Sequence, residues 1–593
     1  MAQQELGVLP EWDLSHLYAG PGDAAFARDM AKAAQWAEAF AANWKGKLAG
    51  ATDGATLLKA VRDYEALSDL LGRIGSFASL HYVGDTTDGA RAKFFGDTNQ
   101  QLTDIAQKLI FFDLEMNEIP DAAMEKALAH PEFARYRPWV EDLRKEKPHQ
   151  LDEKLETLFQ EKSITGRAAW NRLFDETISD MRFEVEGESL SIEPTLHLLQ
   201  DADEKKRQAG AEALAREFGK HQRVFTLITN TLAKDKEISD RWRHFGDIAD
   251  ARHLSNRVER EVVDALVESV RRAYPRLSHR YYAMKAKWLG KEKLNHWDRN
   301  APLPAEDTAA VPWEDAKALV LDAYGDFAPE MRAIAERFFR EGWIDAPVRP
   351  GKAPGAFAHP TVPSAHPYVL LNYMGRTRDV MTLAHELGHG VHQVLAAGQG
   401  PILANTPLTL AETASVFGEM LTFRKLLKAT TDRKKRKAML AAKVEDMLNT
   451  VVRQIAFYSF ERKVHTERKA GELTAGRIGE IWLEVQAESL GPAIVFQPGY
   501  EHFWCYIPHF IHSPFYVYAY AFGDCLVNSL YARYEEAETG FQAKYFDLLK
   551  AGGSRHHSAL LAPFGLDAAD PGFWDRGLAV IAGLIDEIER LEG

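Results

Sequence analysis

The segment Asp379–Ala397 constrains this chain more than any other, because it combines an amphipathic helical pattern with two histidines four positions apart. It reads DVMTLAHELGHGVHQVLAA, and apolar residues recur in it at every third or fourth position. Thr377 or Asp379 can cap the start of the predicted helix, and Gly398 marks its end. The two histidines therefore lie one helical turn apart, on the face opposite the apolar stripe.

These histidines are His385 and His389, and Glu386 follows the first of them, so the segment contains a His-Glu-x-x-His pattern. Both imidazoles can reach a single zinc ion from one helical face. Glu386 lies about 100° around the helix from His385, where its carboxylate can accept a proton from a metal-activated water. Such a zinc ion needs a third protein ligand and an open position for water. The pattern predicts a hydrolytic site with one zinc ion per chain.

The third zinc ligand must come from elsewhere in the chain. A histidine ten positions after His385 is absent, because position 395 is leucine, so a later carboxylate is the candidate. In TPLTLAETASVFGEMLTF, a helix that starts at the Thr-Pro pair would put Glu412 and Glu419 on one face. We predict that Glu412 is the ligand and that Glu419 orients a ligand imidazole. The alternatives are a capping box between Thr409 and Glu412, and a solvated surface position for Glu419.

The motif HELGHGVH followed by ETASVFGE resembles the thimet oligopeptidase/oligoendopeptidase F family of zinc peptidases. Further segments resemble the oligoendopeptidase F branch of that family, namely LPEWDLSHLY, PYVLLNYMGRTRDVMTLAHELGH, KPHQLDEKLETLF with RAAWNRLFDE, and LLKAGGSRHHSALLAPFGLDAADPGFW. The resemblance covers nearly the whole chain. It implies a mainly α metalloendopeptidase that cleaves short, unfolded oligopeptides in a deep substrate channel between two helical domains.

Helical periodicity dominates the rest of the chain, which agrees with a mainly α fold. Residues 182–192 alternate around a glycine and predict a small hairpin, after which we place a domain boundary. The predicted domains are 1–200, an N-terminal helical lid or channel wall that ends in this hairpin, and 201–593, the catalytic helical domain.

A short β-rich stretch precedes the zinc helix. The composition of residues 351–375 predicts two strands, Gly355–Ala358 and Pro367–Tyr373, in a small sheet beside that helix. An edge strand at this place would let an extended peptide add to the sheet through main-chain hydrogen bonds. We therefore predict that Gly355 and Asn372 bind substrate. The alternative is a hairpin that only packs against the zinc helix.

The segment WCYIPHFIHSPFYVYAYAFG supplies imidazole and phenol groups that can donate hydrogen bonds to a developing oxyanion. The resembled family has histidine and tyrosine residues in a mobile loop at this place. We predict His509, Tyr516 and Tyr518 as catalytic residues, with His512 and Tyr520 behind them in substrate binding. The alternative is an aromatic core cluster with buried, hydrogen-bonded hydroxyl groups.

Composition and the apolar pattern of the chain disfavour several classes of function. The net charge of −14 disfavours nucleic-acid binding, which needs a basic surface. Only Cys505 and Cys525 occur, which disfavours a secreted disulfide-stapled protein. No apolar run is long enough for a membrane span, and the first residues lack the pattern of a signal peptide. We expect a cytoplasmic enzyme with oligopeptide substrates, and the oligomeric state is left open.

Two other functions are compatible with the motif. One is a helical zinc carboxypeptidase or dipeptidase, which can share the same ligands. The other is a non-catalytic peptide-binding protein with a structural zinc ion, which needs a closed set of four ligands. His392 is the obvious fourth ligand on the zinc helix, but Glu386 would then have no role. Arg453, on a later helix, can bind a peptide carboxylate or form a structural ion pair.

Overall fold

The structure is a computed structural model that describes residues 6–51, 53–303, 310–536 and 539–592. Helices account for most of these residues, and the strands are few and short. This confirms the predicted mainly α class.

The helices in chain order are α1 (Ala24–Trp44), α2 (Gly54–Val83), α3 (Gly89–Gln107), α4 (Phe111–Glu118), α5 (Asp121–Leu128), α6 (Arg137–Glu146), α7 (Glu153–Thr165), α8 (Arg167–Asp180), α9 (Ile192–Leu198), α10 (Glu204–Trp242), α11 (Asp250–Ser255), α12 (Arg260–Ala273), α13 (Ser278–Trp288), α14 (Trp313–Phe327), α15 (Pro329–Arg340), α16 (Thr377–Ala396), α17 (Gly400–Leu403), α18 (Leu408–Ala411), α19 (Ser415–Ala429), α20 (Arg433–Thr450), α21 (Val452–Arg468), α22 (Ala475–Leu490), α23 (His509–His512), α24 (Tyr518–Glu535), α25 (Phe541–Lys550), α26 (His557–Leu561) and α27 (Pro571–Arg590). Short 3-10 turns join several of them.

The strands form three small sheets: β1 (Phe183–Val185) with β2 (Glu188–Leu190), β3 (Leu294–Asn295) with β7 (Ile494–Val495), and β4 (Ile344–Asp345), β6 (Tyr368–Leu370) and β5 (Phe357–His359) in that spatial order. The first is the predicted hairpin. Glu186 and Gly187 have φ of 51° and 90° at its tip, as a two-residue hairpin turn requires. In the third sheet β6 is parallel to β4 and antiparallel to β5. The last two strands confirm the pair predicted before the zinc helix.

The chain divides into two compact units, each built from three separate stretches of sequence. The first unit comprises Met1–Lys147, Thr308–Ala429 and Arg533–Leu566. The second comprises Pro148–Asp307, Thr430–Ala532 and Asp567–Gly593. The boundary predicted near residue 200 falls inside the first stretch of the second unit, so the units and the predicted domains divide the chain differently.

The first unit is organised around α16, which packs against α19, α15, α25 and the three-stranded sheet. Small residues let these neighbours approach the helix closely. The Cβ of any larger residue at Gly390 would overlap the Phe338 ring, and one at Gly418 on α19 would overlap the Tyr324 ring. Val380, Leu383, Leu387 and Val391 form the predicted apolar stripe, and each is almost completely buried.

The long helix α10 runs through the second unit and packs against the hairpin, α9, α21 and α22. Phe218, Phe225 and Ile228 of α10 are fully buried there. Elsewhere in this unit α12 and α20 both pack against α27. None of the described helices combines the length and apolar character that crossing a membrane requires.

Candidate active site

The start of α16 is held by Asp379, whose carboxylate accepts hydrogen bonds from the N–H groups of Met374 and Arg376, each at 2.9 Å. The helix runs from Thr377 to Ala396, within two residues of the predicted ends. His385 and His389 therefore lie one turn apart, with ring centroids 4.9 Å from each other. The helix thus presents two imidazoles side by side.

Glu412 lies in a turn rather than in a helix. The predicted helix from the Thr-Pro pair to Glu419 is wrong, because α18 ends at Ala411 and α19 begins only at Ser415. The turn reaches α16 because Gly388 has no side chain. A Cβ at Gly388 would collide with the main chain of Ala414 and Ser415.

The same turn is fixed from its other end by α25. The hydroxyl of the fully buried Tyr545 donates to the Thr413 carbonyl oxygen at 2.8 Å. Ser415 Oγ donates to Glu412 Oε2 at 2.6 Å, which orients the carboxylate. These contacts place Glu412 in front of the two histidines.

The geometry of His385, His389 and Glu412 suits a metal ion. Glu412 Oε2 lies 3.3 Å from His385 Nε2 and 3.4 Å from His389 Nε2. The ligating atoms of the three side chains all lie within 4.8 Å of one another. Two imidazole nitrogens and one carboxylate oxygen form a donor set typical of catalytic zinc sites. The group could therefore hold a metal ion with a position left for water.

Electrostatics at this place favour a cation. Burial acts to lower the pKa of His385, but its hydrogen bonds with Glu412 and Glu419 outweigh burial and raise the pKa to about 10. Burial acts to raise the pKa of Glu412, but the same hydrogen bond and the nearby imidazoles lower it to about 2. Burial lowers the pKa of His389, which favours the neutral imidazole that a metal requires. The carboxylates stabilise a positive charge between them, as a divalent ion would supply.

Glu419 lies behind His385, at 3.2 Å from Glu419 Oε2 to His385 Nδ1. A carboxylate bound to the second ring nitrogen fixes the orientation and tautomer of an imidazole whose Nε2 ligates a metal. This contact supports the orienting role predicted for Glu419.

Glu386 points away from the apolar stripe, and only 7% of its surface is exposed. Burial raises the pKa of its carboxyl group to about 7, although the charge of His385 and a hydrogen bond from the Ala358 N–H act in the opposite direction. A carboxyl group whose pKa is near neutrality can accept and return a proton. Glu386 is therefore suited to general acid–base chemistry beside the group of donors.

His392 is separate from the donor group. It is buried, its Nε2 lies 3.4 Å from Thr406 Oγ1, and burial lowers its pKa to about 4. Among the described residues, the group that can hold a metal around α16 contains His385, His389 and Glu412 without His392. A closed set of four ligands on this helix therefore has no support.

The strand β5 lies at the edge of its sheet and next to α16. Ala358 of this strand donates its N–H to Glu386, and its carbonyl accepts a hydrogen bond from Gln393 Nε2 at 3.3 Å. The Asn372 side-chain amide donates to the carbonyl groups of Ala353 and Gly355, at 3.0 and 2.9 Å. Gly355 has φ of 80° and is exposed. Gly355 thus lies in the loop that leads into the edge strand, and Asn372, which follows β6, holds that loop through hydrogen bonds.

The histidine and tyrosine residues predicted after residue 500 belong to the second unit. His509 Nε2 lies 3.1 Å from the Tyr520 hydroxyl, and the Tyr516 ring contacts both residues. The structure therefore brings His509, Tyr516 and Tyr520 together in one cluster.

Tyr518 and His512 point elsewhere. Tyr518 is fully buried, and its hydroxyl accepts a hydrogen bond from Asn256 Nδ2 at 2.8 Å and lies 3.0 Å from His253 Nδ1. His512 Nε2 lies 2.8 Å from Asp175 Oδ1. The helix α24 begins at Tyr518, and Tyr516 precedes it. Tyr516, Tyr518 and Tyr520 therefore do not share one face, as they would in a strand.

Sequence reasoning missed several residues that build the site. Gly388, Ser415 and Tyr545 position Glu412, and Tyr324 donates to the Ala384 carbonyl in the middle of α16. The glycine inside a helical motif was the one available signal, since glycine in a helix interior often marks a close approach of another main chain. Tyr324 and Tyr545 carry no local signal.

Comparisons with known proteins agree with the geometry. A model of peptidase family M3 matches residues 197–580, and a model described as Oligopeptidase F matches residues 115–183. Oligopeptidase PepF of Bacillus subtilis (strain 168) is 26% identical over 558 residues, which cover 92% of this chain and 82% of that protein. Group B oligopeptidase PepB of Streptococcus agalactiae serotype III (strain NEM316) is 25% identical over 593 residues, covering 98% and 97%.

Solved structures share the fold. A crystal structure described as a peptidase from Chlamydophila abortus has a TM-score of 0.87 at 22% identity and covers 98% of each chain. Oligoendopeptidase-F from Enterococcus faecium has a TM-score of 0.71 at 21% identity, over 96% of this chain and 98% of that one. Because the M3 model spans more than half of the sequence, this protein belongs to peptidase family M3, in its oligoendopeptidase F branch, and is a metalloendopeptidase.

Proposed function

We propose that this protein is a zinc-dependent endopeptidase that hydrolyses internal peptide bonds of short, unfolded oligopeptides. The observation that carries the proposal is the convergence of His385, His389 and Glu412, with the buried carboxyl group of Glu386 beside them. The relatives named oligopeptidases and oligoendopeptidases support the substrate class.

His385, His389 and Glu412 would hold the zinc ion through two imidazole nitrogens and one carboxylate oxygen. When bound, the ion would lower the pKa of a water molecule to about 7 and polarise the scissile carbonyl group. Glu419 would keep the His385 ring in the orientation that directs its Nε2 at the ion, because it accepts a hydrogen bond from Nδ1.

Glu386 acts as the general base and then as the general acid. Its carboxylate takes the proton of the attacking water at one oxygen and returns it to the leaving amine. The raised pKa of this carboxyl group suits both transfers, because neither protonation state is strongly favoured near pH 7.

The edge strand β5 would bind the substrate main chain. An extended peptide can add to this edge through main-chain hydrogen bonds, taking up the Ala358 N–H and C=O that α16 now binds. Asn372 would hold the preceding loop in place through the carbonyl of Gly355. Recognition by main-chain groups would allow a broad choice of substrate side chains.

The oxyanion also needs hydrogen-bond donors from side chains. His509, Tyr516 and Tyr520 are the candidates, since they form one cluster whose groups can donate. Tyr518 and His512 would support this segment through Asn256 and Asp175. The resemblance of this segment to the oligoendopeptidase F branch supports these roles, and steady-state kinetics of variants test them.

The proposed setting is the cytoplasm, where the buried free thiols of Cys505 and Cys525 would stay reduced. Oligopeptides are the proposed partners, and the net charge of −14 opposes binding to nucleic acid.

The proposal is tested with zinc analysis and an internally quenched peptide blocked at both ends. Cleavage of this peptide identifies an endopeptidase, because a carboxypeptidase or dipeptidase needs a free terminus. We expect Glu386→Gln to keep one zinc ion per chain and to lower kcat by about 10²- to 10⁴-fold, since the proton acceptor is lost.

The matched control is Glu336→Gln, which changes an exposed glutamate on α15 and should leave kcat unchanged. A zinc-loaded Glu386→Gln variant with wild-type turnover would refute the assigned base. Cleavage of unblocked peptides together with no cleavage of the blocked peptide would contradict hydrolysis of internal peptide bonds.

A further inference from the structure

The second unit contains a cavity that the proposed hydrolysis does not use. It has a volume of about 30 Å³, and all of its lining residues belong to this unit. Such a volume holds about two water-sized particles. Six of its lining side chains carry nitrogen donors that are relevant to ligand binding: His296, Trp297, Arg299, Arg453, Trp482 and Gln486.

Arg299 and Arg453 both line this cavity. Within the described part of the chain, no Asp or Glu lies within ion-pair distance of either guanidinium group. Arg453 Nη2 contacts the Tyr506 hydroxyl at 3.3 Å, and burial together with the charge of Arg299 lowers the pKa of Arg453. Glu445 is bound to Lys285. Burial acts to lower the pKa of Arg299, but nearby tyrosines and the charge of Glu445, which lies beyond ion-pair distance, outweigh burial and raise the pKa. Two like charges in a partly buried place are costly unless an anion neutralises them.

The walls also carry an excess of hydrogen-bond donors. Among the described residues, five buried nitrogen atoms of the lining side chains have no hydrogen-bond partner, namely His296 Nε2, Trp297 Nε1, Arg453 Nε, Trp482 Nε1 and Gln486 Nε2. Such atoms are rare in folded proteins, where nearly all buried donors find an acceptor.

The orientation of the two side chains that could also accept is set by their neighbours. The Gln497 N–H donates to His296 Nδ1 at 3.3 Å, and burial lowers the pKa of His296 to about 4, so the neutral ring carries its proton on Nε2. The Tyr500 hydroxyl donates to Gln486 Oε1 at 3.2 Å, which leaves the amide Nε2 as the unpartnered atom. Each of these side chains therefore offers a donor.

We propose that this cavity is a binding site for a small monovalent anion, either chloride or a single carboxylate group. Two guanidinium groups and unpartnered N–H donors match a compact acceptor with a negative charge. A larger anion such as gluconate exceeds the volume. The anion would contact side chains of α21, of α22 and of the turn after β3. It would therefore link these three elements and stabilise the second unit.

Thermal unfolding of the full-length protein tests this directly. The protein is dialysed into sodium gluconate, which is then replaced by chloride, bromide or acetate at constant ionic strength. We expect chloride at about 100 times its Kd to raise the unfolding midpoint by about 2–4 °C over gluconate. An equal effect of acetate would show that carboxylates bind as well. No rise with chloride, bromide or acetate would overturn the proposal.

A further arm separates the inorganic ion from a small carboxylate. Acetate is compared with acetamide in the same gluconate buffer, because the two are close in size and only acetate carries a charge. A midpoint raised by acetate and not by acetamide identifies a carboxylate as a ligand. A midpoint raised by chloride and by neither acetate nor acetamide identifies the inorganic ion.

Variants provide the structural control. Arg299→Gln and Arg453→Gln should abolish the rise with chloride, while Arg172→Gln, at an exposed arginine of α8, should keep it. Gln486→Glu places a carboxylate in the wall. It should raise the midpoint in gluconate and remove the response to chloride, without depending on how the arginine variants fold. A Gln486→Glu variant that keeps the wild-type response would overturn the proposal.

Discussion

The hydroxyl groups of Tyr516 and Tyr518 lie two positions apart in sequence and have different surroundings. Tyr516 belongs to the cluster with His509 and Tyr520, whereas Tyr518 is buried against His253 and Asn256. We expect Tyr516→Phe to lower kcat by about 10²-fold with little change in stability, because it removes one donor to the oxyanion. Tyr518→Phe should instead cost about 1–3 kcal/mol of stability, since it leaves buried polar groups without a partner.

Steady-state kinetics and thermal unfolding of the two variants check this distinction, and each serves as the control for the other. If Tyr518→Phe lowered kcat as strongly as Tyr516→Phe while its unfolding midpoint stayed unchanged, Tyr518 would be the donor.

Residues of the candidate site were predictable where one helix carries them. His385, Glu386 and His389 follow from a spacing of four, because helical geometry alone brings them together. The side of the segment on which each tyrosine lies was not predictable. It depends on α24 beginning at Tyr518, which is fixed by contacts with Asn256 and His253, distant in sequence.

At the scale of elements, the contact between α16 and the turn from Glu412 to Ser415 decides whether the donor group forms. We expect Gly388→Ala to cost about 1–3 kcal/mol of stability, because its Cβ would overlap the main chain of Ala414 and push the turn away. Glu412 would move with the turn, so the affinity for zinc should fall by about 10- to 100-fold. Zinc titration against a chelating indicator and chemical denaturation measure the two effects.

The matched control is Gly398→Ala, just beyond α16, where an added Cβ meets no atom within 4 Å. This variant should keep wild-type zinc affinity and stability. Wild-type zinc affinity in Gly388→Ala as well would show that the turn tolerates displacement and that Gly388 does not position Glu412.

Elements were predictable where the local pattern was complete. The apolar stripe and its flanking residues define α16, and the β-rich composition before it defines β5 and β6. The break between α18 and α19 was missed, since it depends on Gly388 and on the Tyr545 hydroxyl more than a hundred residues away. The two-residue strand β4 was missed for the same reason, because its pairing with β6 is a tertiary contact.

At the scale of the whole molecule, the first unit is assembled from stretches that are far apart in sequence. Several main-chain hydrogen bonds join its N-terminal stretch to residues beyond 300. Examples are Trp313 N–H to Leu6 C=O at 2.9 Å, Asp13 N–H to Gly342 C=O at 2.7 Å, and Thr86 N–H to Gly351 C=O at 2.6 Å. A domain that ends near residue 200 would lack all of these partners.

We therefore expect a fragment of residues 1–200 to unfold without a cooperative thermal transition, whereas the full chain unfolds cooperatively. Circular dichroism at 222 nm as a function of temperature measures this. The control is the full chain with a protease site engineered in the turn between α9 and α10. The folded protein is cut at this site, so that residues 1–200 keep their partners from the rest of the chain. This cleaved protein should keep the cooperative thermal transition. Backbone groups that lose their buried partners destabilise a packed core. Cooperative unfolding of the isolated fragment would therefore show that residues 1–200 form a domain of their own.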